Sequence, residues 1–163
     1  MKFIYLKSKD IDEHLVHTVA EYFSILPGKS VEIHACKDSR ELANIDLKKN
    51  PAEVVVTFNL AGFDICTLTD GLSYNLENSK FVHFLLEEHL PNERYLSKQL
   101  SISMFFYCVG KGYCEYLWRA YPEIPYLKYM EGWDFSKNLD DARANNVSCI
   151  VEAIEEVIRE CRL

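Results

Sequence analysis

Apolar residues are gathered into short, nearly continuous runs: KFIYLK (2–7), SVEIHA (30–35), EVVVTF (53–58), KFVHFLL (80–86), ISMFFYC (102–108) and PYLKY (125–129). They recur every 22 to 28 residues. Several lack the clean alternation of a strand with one wet face, and continuous apolar strands are those buried on both faces, as in parallel sheets. The stretches between them carry helical spacing, at 10–26, 39–48, 62–76, 92–100 and 112–121. In the first, Ile11, Leu15, Val19, Tyr22, Phe23 and Leu26 fall on one stripe. Asp10, Asp12 and Glu13 favour its N-terminal dipole, and Pro27-Gly28 stops it. A final segment, NNVSCIVEAIEEVIRECRL, places Val147, Ile150, Val151, Ile154, Val157, Ile158 and Cys161 on one face of a helix at about 141–161. That face fits a cover for the sheet better than a dimer seam, since two heptads specify a coiled coil weakly.

Strand and helix in alternation, joined by right-handed crossovers, give an α/β fold. The expected architecture is a three-layer, Rossmann-like sheet of about six mainly parallel strands with helices on both faces. At 163 residues the chain fits one domain over 1–163 and buries roughly 70% of its unfolded surface.

Composition narrows the function classes. With 48% hydrophobic and 26% charged residues and no low-complexity tract, order is expected nearly throughout. A net charge of −7 argues against a nucleic-acid partner, which draws on clustered Lys and Arg. No apolar run approaches the ~20 residues that span a bilayer, and MKFIYLKSKDIDEH has charges where a signal peptide needs its apolar core, so a cytoplasmic protein is expected. Six cysteines, at 36, 66, 108, 114, 149 and 161, then read as free thiols rather than a disulfide framework.

Open α/β sheets bind ligands beyond the carboxyl ends of their strands, so the residues that follow each strand are the candidates for chemistry. After the first strand KSKDID replaces the glycines of a dinucleotide fingerprint, and no cofactor is expected. Gly110-Lys111-Gly112 lacks the spacing and the Ser or Thr of a Walker loop. Glycines ahead of a helix can still offer amides to an anion, with Lys111 adding charge. The stretch from His83 to His89 has the residue types of a metal site with the wrong spacing: extended, it separates the two His by roughly 20 Å. His83 therefore reads as a core residue and no metal is expected. Glu87, Glu88 and His89 leave the strand at its functional end, where a carboxylate can accept a sugar hydroxyl or act as a base. Cys108 and Cys114 read as inert packing.

Residues 53–134, with EVVVTFNLAGFDI, KFVHFLLEEHLP and ISMFFYCVGKGYCEYLWRAYPEIPYLKYMEGWD, resemble the amino-terminal domain of spore-maturation-type glycosyltransferases of the GT-B architecture. Phe58-Asn59 matches the Phe-Asn pair that ends a buried strand in that family. Glu87-Glu88-His89 departs from it, because the family more often shows an aromatic strand end followed by Asp and Pro. A GT-B enzyme binds its nucleotide-sugar donor mainly in a second Rossmann-like domain, for which this chain leaves no room. The resemblance thus implies an accessory, acceptor-side domain that binds a sugar or nucleotide sugar at its strand ends, together with a donor-domain subunit or as a homodimer; the strand-end candidates for ligand contact are Asn59, Gly110, Lys111, Gly112 and Glu131. A small stand-alone enzyme with Glu87 or Glu88 as its base stays open. So does a receiver- or flavodoxin-like signalling module, although TFNLAG follows the third strand where a phosphoacceptor site wants acidic residues.

Overall fold

A computed structural model describes residues 1–7, 11–35, 41, 51–63, 79–97, 104–136 and 140–163. The six apolar runs form β1 (Lys2–Lys7), β2 (Ser30–Ala35), β3 (Val54–Phe58), β4 (Lys80–Leu85), β5 (Met104–Cys108) and β6 (Leu127–Tyr129). All pair in parallel in one sheet of order β2-β1-β3-β4-β5-β6. Three α-helices are described, α1 (Glu13–Ser24), α2 (Lys111–Ala120) and α3 (Asp140–Glu160), with a 3-10 turn at Glu93–Ser97. The helices expected at 39–48 and 62–76 lie almost wholly outside the described residues. Only the first turns of the segment expected at 92–100 are described, and they are the 3-10 turn.

The period of two is kept inside the continuous apolar runs, and it builds two cores. Phe3, Tyr5, Val54, Val56, Phe58, Val82, Phe84, Phe105 and Tyr107 face α1 and α3. Their neighbours Ile4, Leu6, Val55, Phe81, Leu85, Met104, Phe106 and Cys108 face the 3-10 turn and α2. Right-handed crossovers explain the division, since the chain moves one way from β1 to β2 and the other way from β4 to β6. Each fully buried Phe contributes roughly 1.5–3 kcal/mol over its exposed state, so the sheet's aromatic rows carry much of the stability.

Helix α1 starts where Asp12 Oδ1 accepts from the amides of His14 and Leu15, at 3.1 and 3.3 Å. It buries Leu15, Val16, Val19, Ala20 and Phe23, while Tyr22 sits at the stripe's edge and donates to Glu155 Oε1 on α3 at 2.9 Å. Gly28, at φ 72°, turns the chain into β2. Helix α3 buries Ile150, Val151, Ala153, Ile154 and Val157 against the sheet and α1, so its apolar face is used within the chain. Among the described residues no helix is long and apolar enough to cross a membrane.

One polar pair lies within the α2-side core. His83 is fully buried, stacked on Phe106 at 4.7 Å and met edge-on by Phe63 at 5.0 Å. Its Nδ1 shares a 2.6 Å hydrogen bond with Thr57 Oγ1, and its Nε2 has no partner. Burial pushes its pKa down from the ordinary 6.5 to about 3, so the ring is neutral at physiological pH. It is the core histidine that the strand pattern predicts.

Candidate functional site

The carboxyl ends of β3, β4 and β5 are tied together by side chains. Asn59, which follows β3, adopts φ 53°, a left-handed conformation that Asn tolerates better than most residues. Its amide donates to Phe84 O at 2.8 Å and its Oδ1 accepts from Leu86 N at 2.7 Å, which fastens the end of β3 to the end of β4. Leu60 continues at φ 56°, and Asn92 Nδ2 closes the turn on Leu60 O and Phe63 O at 2.6 and 2.7 Å. The carbonyl of the Asn59 side chain is thus committed to the fold.

Beyond β4, Glu87, Glu88 and His89 are exposed and His89 takes φ 53°. Glu88 folds over the start of α2: its Oε1 lies 3.0 Å from the position a Cβ on Gly110 would occupy. Gly110 is needed for that approach, whereas a side chain at Gly112 would meet open space. Gly110 caps α2 without a side-chain hydrogen bond, and a carboxylate beside a helix N-terminus is favoured by the dipole. Lys111, the first residue of α2, is exposed. The His89 ring lies 5.5 Å from Tyr113 and 6.1 Å from Tyr116, and those two rings stack at 5.9 Å.

A carboxylate that strand-end reasoning passed over holds this group in place. Glu93 Oε1 accepts from Tyr113 OH at 2.5 Å, while its Oε2 accepts from Tyr121 OH at 2.9 Å and Tyr116 OH at 3.3 Å. Burial, then the Glu93 charge, pushes the Tyr113 hydroxyl up and the Tyr121 hydroxyl up to about 12, since a phenolate there loses its acceptor and faces an anion. The signal was present in sequence as Tyr113 and Tyr116 at i, i+3, neighbours on one helix face.

Both cysteines of the turn are fully buried. Burial pushes the Cys108 thiol up to about 12 and the Cys114 thiol upward as well, so neither is poised as a thiolate nucleophile. Glu131, after β6, stands apart from Glu88 and Lys111. It opens on the α3 side into a groove of about 530 Å³ lined by Tyr107, Lys128, Cys149, Glu156 and Arg159. There Lys128 Nζ meets Glu156 Oε1 at 2.7 Å, and Tyr107 OH donates to Glu156 Oε2 at 3.0 Å. The loop carrying Glu131 is pinned to α3 by Asn146, whose Oδ1 and Nδ2 bond Asp134 N and O at 2.8 Å each. Among the described residues no group of three or more His, Cys, Asp or Glu is placed to hold a metal ion.

The structure therefore brings together Asn59, the Glu87–His89 turn and the start of α2 at one edge of a parallel, Rossmann-like sheet. No protein-family model, no curated protein and no solved structure matches the chain.

Proposed function

We propose that this chain is a glycosyltransferase-like binding domain without catalysis of its own, which takes a sugar-type ligand at the carboxyl edge of β4 and β5. One observation carries the reading: at the end of β4 the exposed carboxylates Glu87 and Glu88 lead into exposed His89, whose ring lies 6.1 Å from the exposed ring of Tyr116 on α2. Sugars offer an apolar C–H face that packs on aromatic rings and hydroxyls that donate to carboxylates. Residues 53–134, which carry the glycosyltransferase resemblance, supply β3 to β6 and this edge. Chemistry on a nucleotide sugar then falls to a donor-domain subunit. The strand order β2-β1-β3-β4-β5 is also that of flavodoxin-like sheets, but fold does not fix function, and Asn59 stands where a phosphoacceptor site needs acidic residues.

Saturation-transfer NMR of the full chain with nucleotide sugars and simple glycosides tests the reading. Transfer to sugar ring protons that is lost in His89→Ala and Tyr116→Ala is the expected result. A chain that shows no transfer to any sugar at ~10 mM ligand refutes it.

A further inference from the structure

Lys7 ends β1 and, at 6% exposure, is buried. Strand β1 lies between β2 and β3, where the progression of the chain across the sheet reverses. Crossovers leave such a point in opposite directions and open a crevice between the two strand ends, where open α/β sheets take their ligands. The Lys7 ammonium is 3.2 Å from Glu13 Oε1, and the two side chains are unequal, 8% exposed for Lys7 and 69% for Glu13. Glu13 is the first residue of α1. Beside it Asp12 spends one oxygen on capping the helix and the other on Arg143 Nε at 3.2 Å, so two cations flank this turn.

Stability does not account for a lysine at this place. Taking an ammonium out of water is costly, an ion pair whose other member stays in water returns little, and a methionine of similar length fills the space without a charge. A cation on a buried side chain attracts an anion more strongly than one on a freely solvated side chain. The geometry points to Lys7 as the anchor of an oxyanion site at the β1–β3 crevice, which takes the phosphate group of a phosphorylated small ligand, with Glu13 as the carboxylate that the phosphate displaces. Glu13 can swing into solvent because its turn is exposed. The site does not rest on the sugar reading, since the ends of β1 and β4 are two strand spacings apart, roughly 10 Å, with β3 between them.

Isothermal titration of the full chain with inorganic phosphate, glucose 1-phosphate and UDP distinguishes a free phosphate, a sugar phosphate and a nucleotide as the source. At least one binds saturably. Lys7→Met weakens that binding about tenfold or more while the thermal midpoint stays or rises, and Glu13→Gln tightens it by removing the competing carboxylate. Glu13 is on an exposed turn, so Glu13→Gln keeps the test decisive even if Lys7→Met fails to fold. Absence of binding of all three probes at ~10 mM overturns the site, as does equal affinity in Lys7→Met or affinity that Glu13→Gln leaves unchanged or weakens.

Discussion

Acid should begin to destabilise this protein through His83 before most of its carboxylates are protonated. The ring is fully buried, its Nε2 has no partner, and its pKa falls from 6.5 to about 3 on folding. The unfolded chain therefore binds a proton near pH 6.5 that the native chain refuses until about pH 3. With the native pKa depressed, the stabilisation is whole above pH 6.5 and is lost as the pH falls towards 3. Between those limits the folding equilibrium shifts nearly tenfold per pH unit, which amounts to about 2 kcal/mol by pH 5 and about 5 kcal/mol at most. Against a total stability of roughly 5–15 kcal/mol, the loss is large enough to unfold a marginal domain.

The comparison chain is the double variant Thr57→Val, His83→Phe, which removes the titrating ring and the hydroxyl it would leave without a partner. An aromatic at 83 keeps the stack on Phe106. The larger ring changes packing equally at every pH, so the slope is the readout and not the absolute stability. Urea denaturation from pH 7.5 to 4.5, followed by circular dichroism, should show wild-type stability falling more steeply below about pH 6, by about 2 kcal/mol relative to the variant at pH 5. Carboxylates held low in the fold, such as Glu156 beside Lys128, titrate in both chains and cancel. Parallel curves would refute the reasoning.

Asn59→Ala loses the bond to Leu86 N and puts a β-carbon residue at φ 53°, so it should cost about 2–3 kcal/mol in urea denaturation. Asn59→Gly, which keeps the turn's conformation, should cost about 1 kcal/mol less. Glu93→Gln should lower the titration midpoint of Tyr121 from about 12, read as absorbance at 295 nm, because the anion that opposes the phenolate is gone. Gly110→Ala brings a methyl to 3.0 Å from Glu88 Oε1. That exposed carboxylate can move aside, so stability should change by under about 1 kcal/mol in urea denaturation. With Ellman's reagent, mass mapping should find Cys149 and Cys161, both partly exposed, labelled well before the buried Cys108 and Cys114.

Apolar runs made the sheet legible, because a strand covered on both faces has to be apolar at odd and even positions alike, and four of the six described strands, β1, β3, β4 and β5, are nearly so, while β6 is a short edge strand with Lys128 exposed. The run SVEIHA alternates, and β2 is indeed a half-buried edge strand. His83 was legible from the same logic, as a polar residue inside a strand with no room for a second ligand. The first helix was legible as an element but not to its ends: the expected 10–26 shortens to Glu13–Ser24, because Asp12 caps it.

What stayed hidden at the strand ends is a matter of sequence distance. A polar residue after a strand reads the same whether it is free or spent, and its partner decides which. Asn59 looks like a ligand-binding amide until Leu86, 27 residues on, takes its oxygen. Glu93, inside the segment expected to be helical at 92–100, shows no role until Tyr113, 20 residues on, and Tyr121, 28 residues on, deliver their hydroxyls. Glu87, Glu88 and Lys111 keep exposed charged groups at the same edge, and Lys7 keeps a buried side chain whose ammonium meets a carboxylate that is mostly in water. Chemistry is to be sought in that second set: a side chain already satisfied by the fold must break a native bond to meet a ligand, whereas an exposed or weakly matched charge gives up only water or a mobile partner.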